Sequence, residues 1–205
     1  MDKEQLQQIY LQEEYYWGKE PNKLAQSVLE YISKDQIQGK KAVDLGAGEG
    51  RDSAFFAKQG FDVVAMDFSP AGLAKAKRLA EEMGTAIRTM EGDLNNFVFA
   101  HPVDLVYSIG TMQYIHPSNR AQQFQHFKEN TLSCGLNVLF AFTEHPDIEI
   151  APDWGKNEYL YRRDELQSYY SDWETLFTEE FIFDCNSSGI PHRHASRILI
   201  SKKSS

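Results

Sequence analysis

The residues best able to do chemistry stand where apolar runs stop on an acid or a glycine. The stretch Val43-Asp44-Leu45-Gly46-Ala47-Gly48-Glu49-Gly50-Arg51-Asp52 closes a strand on three alternating glycines and opens a helix. Alternate glycines let the backbone bend sharply and let a ligand reach main-chain N–H groups that a Cβ would shield, so Gly46, Ala47 and Gly48 read as the grip on a nucleotide-bearing cofactor. Asp44, at the C-terminal end of that strand, faces the same ligand. Two later runs also end on acids. Phe61 to Phe68 carries Asp67, placed to accept from both hydroxyls of a ribose, with Phe68 beside it to pack on a base. Ala86 to Leu94 ends at Asp93 and Leu94, where the acid is placed to accept from an exocyclic amine. The run Val103 to Gly110 passes Ser108 and ends on a glycine beneath the cofactor. Near the C-terminus, His192, Arg193 and His194 are the candidate substrate-side residues. On a strand the two histidines share a face, suited to an anion first and to a metal second. No further ligand stands at a recognisable metal spacing, so no metal site is expected.

These residues need strands and helices to hold them. Helical patterns at Lys23 to Ser33, Asp52 to Gln59, Pro70 to Met83 and Asn119 to Thr131 alternate with the apolar runs, and Leu136 to Thr143 reads as a fifth strand. Ser69-Pro70 predicts an N-cap with proline at the first helical position, and Gly60 and Gly84 stand where helix C-terminal glycines belong. Alternating βα units predict a parallel sheet covered on both faces, with its ligand outside the strands' C-terminal ends. Glu144 to Tyr161 is too long for a plain connection and reads as a substrate-side wall. Arg163 to Tyr170 reads as a helix. Glu174 to Cys185 and His194 to Ser201 read as two strands joined by Asn186-Ser187-Ser188-Gly189, which has hairpin turn chemistry. The fold expected is an α/β, Rossmann-like, doubly wound seven-stranded sheet, mostly parallel, finished by an antiparallel hairpin.

Spacing separates the possible cofactors. A dinucleotide site wants G-x-G-x-x-G, and Arg51 stands where the third glycine would fall; a Walker loop is absent. The pattern D-x-G-x-G-x-G resembles motif I of the class I S-adenosylmethionine methyltransferases, whose ligand carries an amino acid end and a ribose. On that resemblance Asp44 suits the ammonium, Arg51 the carboxylate, Asp67 the ribose, and Phe68, Asp93 and Leu94 the adenine. Met1 to Trp17 reads as an amphipathic helix within a cap segment, 1–35, whose Tyr15, Tyr16 and Trp17 would close over the sulfonium.

A narrower likeness runs along nearly the whole chain. Tyr15-Tyr16-Trp17, Arg51-Asp52-Ser53, Gly92-Asp93-Leu94-Asn95-Asn96, and Arg163 to Tyr170 with Trp173-Glu174 together resemble the TehB-type tellurite-resistance methyltransferases. The resemblance implies in-line methylation of a small acceptor, a chalcogen oxyanion or a thiol. One departure concerns that acceptor. Some members place a His-Arg pair before the last hairpin turn, where this chain has Phe181-Ile182-Phe183-Asp184, and its basic residues follow the turn instead. His116, after the fourth strand, suits a substrate contact or a helix cap equally.

Composition bounds the setting. A chain of 205 residues, 41% hydrophobic, is long enough for one two-sided sheet core, and a single domain over 1–205 is expected. The net charge of −9 and the absence of a basic stripe argue against nucleic acid as partner. No apolar run is long enough to span a membrane and no targeting segment is recognisable, so a cytoplasmic monomer or homodimer acting on a small-molecule methyl acceptor is expected. Cys134 and Cys185 form no CxxC. A non-catalytic S-adenosylmethionine sensor or scaffold, a protein methyltransferase and an NAD-dependent oxidoreductase are the alternative readings.

Overall fold

Short apolar strands alternating with amphipathic helices bury their side chains best when the strands lie parallel and helices cover both faces. The computed structural model describes residues 1–205 except Asp153 and Ser188, so one position of the expected 144–161 loop and one of the 186–189 turn lie outside the described residues. The strands β1 (Lys41–Leu45), β2 (Asp62–Asp67), β3 (Arg88–Glu91), β4 (Val103–Ser108), β5 (Thr131–Thr143), β6 (Glu174–Cys185) and β7 (His192–Lys202) form one sheet in the order β3-β2-β1-β4-β5-β7-β6. Neighbours from β3 through β5 are parallel, and β7 runs antiparallel between β5 and β6. The chain reverses its direction of winding between β1 and β4, which opens a crevice above their C-terminal ends.

The helices are α1 (Lys3–Tyr10), α2 (Lys23–Ser27), α3 (Arg51–Gln59), α4 (Pro70–Glu82), α5 (Pro117–Glu129) and α6 (Glu165–Ser168). Each face of the sheet has its own core. On one, Ala54 and Phe56 of α3 and Leu73 and Leu79 of α4 pack with Leu105 and Tyr107 of β4. On the other, Phe124 and Phe127 of α5 and Leu166 of α6 pack with Val43, Val106 and Leu139. The expected punctuation is present. Ser69 caps α4 by accepting from the Gly72 N–H at 3.2 Å, and Gly60 ends α3 in the left-handed region at φ 107°.

Several expected elements are shorter than their apolar patterns. The first helix stops at Tyr10, because Leu6 and Tyr10 are its buried residues and Leu11 already points to solvent, so Tyr15 to Trp17 follow it as irregular chain. α2 stops at Ser27 and passes into a 3₁₀ turn, Val28–Glu30. The helix expected from Arg163 to Tyr170 is a single turn. β3 stops at Glu91, so Asp93 lies in the loop beyond it. Conversely β5 begins at Thr131 and takes in an irregular stretch where Cys134 adopts φ 61°. Among the described residues no helix is long and apolar enough to cross a membrane.

One buried charge binds the loop after β5 to α5. The guanidinium of Arg120 is almost fully buried, lies 3.6 Å over the Tyr161 ring, pairs with Glu165 at 2.9 Å and donates to the carbonyls of Ile115, Tyr159 and Leu160. Removing one partner of such an ion pair strands the other in low dielectric. Arg120→Met is therefore expected to lower unfolding free energy by about 3–5 kcal/mol, read as a drop in the urea midpoint with unchanged m.

Candidate active site

A cavity of about 900 Å³ lies outside the C-terminal ends of β1, β2 and β4 and continues across one face of β5, β6 and β7. Its two ends differ in chemistry. The first is built by the glycine loop between β1 and α3. A Cβ on Gly48, at φ 53°, would stand 2.9 Å from the Tyr10 hydroxyl, and one on Gly50, at φ 83°, would strike Ala76, so neither position admits another residue without a shift.

The loop amides do not point at a ligand in the way the glycine pattern suggested. Gly46 and Ala47 donate to the Met66 carbonyl at 2.8 and 2.9 Å, and Gly48 donates to Asp67 Oδ2 at 2.8 Å. These donors tie the loop to the end of β2, because parallel neighbours bring the two strand ends side by side. Asp67 Oδ1 accepts from the Ser69 N–H at 2.9 Å, so each carboxylate oxygen already holds one backbone donor and keeps a second lone pair. Asp44 accepts from the Ser53 hydroxyl at 2.6 Å. Both acids line the cavity, as do Gly46, Ala47, Gly48, Arg51, Phe68, Asp93, Leu94 and Trp17.

Several of these residues have protein partners that the sequence reading did not assign. Arg51 donates to the Trp17 carbonyl at 2.8 Å, and Asp93 pairs with Lys3 of α1, whose ammonium also lies 5.7 Å from the centre of the Phe68 ring. Ser108 falls outside the cavity wall: its hydroxyl is buried beneath the loop, donating to the Leu45 carbonyl and meeting Thr111 Oγ1. Of the aromatic triplet, Trp17 alone lines the cavity. Tyr15 turns toward α4, where its hydroxyl donates to the Lys75 carbonyl, and Tyr16 donates to the carbonyl of Ser187 in the β6–β7 turn. Tyr10, which the sequence reading did not single out, stands beside Trp17 and accepts from its indole N–H at 3.2 Å.

The acids of the loop and of α3 hold the N-terminal segment in place. Glu49 pairs with Lys75 at 2.7 Å and accepts from the Trp17 N–H, while Asp52 accepts from the Asn22 N–H at 2.7 Å and from the Tyr107 hydroxyl at 2.9 Å. Nothing in local periodicity points to these contacts, since each joins residues 26 to 55 apart along the chain.

The second end is aromatic. Phe177, Glu179, Phe181, Phe183 and Cys185 alternate along β6 and line the cavity with Phe140 and Phe142 of β5, Trp154 of the 144–161 loop, and His194 and Ile198 of β7. That alternation is visible in the sequence, and the register of β6 against β7 decides which face it covers. His194 is buried against Phe142, Phe183 and Trp154. The same alternation turns Arg193 to the opposite, exposed face, opposite Asp184, so the expected trio is not brought together on the wall. His192 lies on the His194 side, with its Nε2 3.0 Å from His194 Nε2. His116 caps α5 by accepting from the Ser118 N–H and lies outside the cavity wall.

A family model described as "Tellurite resistance protein TehB" matches residues 9–187. The chain belongs to the TehB family. "Hemagglutinin 1" of Eikenella corrodens is 26% identical over 142 residues, 69% of this chain and 46% of that protein. "Probable S-adenosyl-L-methionine-dependent methyltransferase TehB" of Haemophilus influenzae is 25% identical over 168 residues, 82% of this chain and 58% of that protein. The crystal structure of TehB from Haemophilus influenzae shares the fold, with a TM-score of 0.76 at 22% identity over 87% of this chain and 61% of that one. This chain spans about half the length of the curated relatives it matches.

Electrostatically the glycine end is dominated by carboxylates. Burial, then the neighbouring Asp52 charge, push the Asp44 carboxyl up to about 8, against the hydrogen bond from Ser53. Burial likewise raises Asp67 and Asp52, in each case against the backbone N–H groups they accept from. Asp93 behaves oppositely: desolvation works to raise it, but hydrogen bonds from Lys3 and Asn95 outweigh that and hold it low. Between the ordinary carboxylate range, about 4, and the raised folded value, folded Asp44 keeps a proton that the unfolded chain releases, so stability falls as pH rises. Urea midpoints are expected to decrease from about pH 5 to about pH 8, the window set by the raised Asp44 carboxyl, and to decrease less in Asp44→Asn.

Proposed function

We propose that this protein transfers a methyl group from S-adenosylmethionine to a small acceptor, and that the acceptor is a thiol rather than a chalcogen oxyanion. The observation that carries the reading is one continuous cavity with acids and a glycine loop at one end and an aromatic wall at the other. Family membership and the name of the Haemophilus influenzae relative support the donor. The glycine end fits it: Gly48, lacking a Cβ, lets the Tyr10 hydroxyl and the Trp17 ring approach the loop, and Asp67 keeps acceptor capacity for two hydroxyls.

When bound, S-adenosylmethionine supplies a methyl group on a sulfonium, with a neutral thioether as the leaving group. The chain's own part is to hold, orient and desolvate. A cation bound beside Asp44, Asp52 and Asp67 favours their ionised forms, and the faces of Tyr10 and Trp17 add to the preference for a positively charged ligand. Asp67 would hold the ribose. Phe68 and Leu94 would flank the adenine, with Asp93 as its acceptor shared with Lys3, and Gly46, Ala47 and Arg51 would border the amino acid end. The aromatic wall excludes water and brings the acceptor close to the methyl, which is where most of the rate in such a displacement arises.

The chemistry of the wall selects the acceptor. The residues that β5, β6, β7 and the 144–161 loop contribute to it include Glu158 and Glu179 but no lysine or arginine among those described. An oxyanion there would lose its hydration without gaining a lysine or arginine partner from those residues. A thiol tolerates an apolar wall and must lose its proton, and His194 is the titratable imidazole on that wall. A screen of thiols, thiopurines, tellurite and selenite, read out as S-adenosylhomocysteine, is expected to show turnover of thiols above that of either oxyanion. The opposite ranking would remove the thiol assignment, and tight donor binding with no turnover of any acceptor would mark a binding module. For the donor, Asp67→Ala is expected to weaken S-adenosylmethionine by about 1.5–3 kcal/mol in isothermal titration, with Asp67→Asn losing less because it keeps one acceptor oxygen.

A further inference from the structure

At the tip of the β6–β7 hairpin the register sets Cys185 directly opposite His192, and His194 follows two residues along on the same face. One ligand atom from each of the three lies within 4.8 Å of the others. We propose that Cys185, His192 and His194 form a site for a zinc-class divalent cation, bordering the acceptor end of the cavity. The donor set is one thiolate sulfur and two imidazole nitrogens, which suits a borderline-soft d¹⁰ ion and suits magnesium or calcium poorly.

The geometry is close to what such an ion requires. Tetrahedral bonds of about 2.05 Å to nitrogen and about 2.3 Å to sulfur set the ligand atoms about 3.3–3.6 Å apart. The two Nε2 atoms, at 3.0 Å, need to part by a few tenths of an ångström. The half-buried Cys185 thiol, 3.2 Å from the Ser187 hydroxyl, needs to move inward by about 1 Å, within reach of a small side-chain rotation.

The outer partner of one ligand is already in place. His192 Nδ1 lies 2.7 Å from the Ile190 carbonyl, which can only accept, so Nδ1 carries the proton and Nε2 presents its lone pair inward. A ring N–H held by a backbone carbonyl is the arrangement that orients metal-bound histidines. When the ion enters, the proton shared between the two Nε2 atoms and the Cys185 thiol proton must both leave, so binding releases protons and strengthens as pH rises. Among the described residues the site offers three protein ligands, the number that reactive zinc sites use. Because Cys185 and His194 both line the cavity, an ion between them borders the space proposed for the acceptor. Metal binding and proton acceptance use the same imidazoles, so the two states are alternatives.

Cobalt(II) titration of the metal-free full chain tests the site, because a bound thiolate gives a sulfur-to-cobalt charge-transfer band. One equivalent is expected to saturate the band, and zinc is expected to displace it. Cys185→Ser is expected to abolish it, His192→Ala and His194→Ala to weaken binding by more than about 10- to 100-fold, and Cys134→Ser, an exposed thiol elsewhere, to leave it intact. Zinc should also raise the melting temperature of the native chain and not that of Cys185→Ser, which guards against a variant that merely misfolds. No band with excess cobalt, or a band that survives Cys185→Ser, overturns the proposal. Donor affinity, measured separately, does not depend on the outcome.

Discussion

Burying Asp44, Asp52 and Asp67 together at the C-terminal edge of a parallel sheet is the constraint around which the rest of the structure is arranged. Desolvation opposes the charge of all three, repulsion from the other two adds to it at Asp44, and the protein answers with donors from separate parts of the chain: Ser53 for Asp44, Asn22 and Tyr107 for Asp52, Gly48 and Ser69 for Asp67. Each answer fixes an element. The Asp67 contacts set the glycine loop against β2 and start α4, and the Asp52 contacts fasten α2 to α3. The acids that give the cavity its character therefore also hold its walls.

The N-terminal segment shows how that constraint spreads. Residues 14–22 have no strand to join, and Glu49, Arg51 and Asp52 bind them through main-chain groups of Trp17 and Asn22, with Lys75 of α4 completing the contact through Glu49 and the Glu14 carbonyl. This brings Trp17 and Tyr10 over the glycine loop. The hydroxyl of Tyr16 meanwhile reaches the β6–β7 turn, so one segment touches both ends of the cavity.

That wall comes from a different principle. Antiparallel pairing of β6 with β7 puts alternate residues on one face, and the aromatic members of that face leave a dry surface beside a single cysteine and paired imidazoles. Soft nucleophiles and soft cations share a preference for such surroundings, which is why a thiol acceptor and a thiolate-imidazole ion site are argued from the same strands. An oxyanion would need the guanidinium of Arg193, and the strand's period of two sends it to the other face.

Local pattern alone determined a good deal about this protein. The βα alternation, the Ser69-Pro70 start, the Gly60 stop and the glycine run with Asp44 and Asp67 at successive strand ends define the fold and one end of the cavity, because each depends on backbone preferences or on periods of 3.6 and 2 within a short window. Tertiary structure decided what meets across the chain. Lys3 reaches Asp93, Lys75 reaches Glu49, Arg51 turns back to Trp17, Ser108 sinks beneath the loop, and Cys185 faces His192 because strand register sets them opposite. None of these contacts has a sequence period to announce it. They follow from packing and from the need to give every buried polar group a partner, and those conditions are met only once distant segments share the same space.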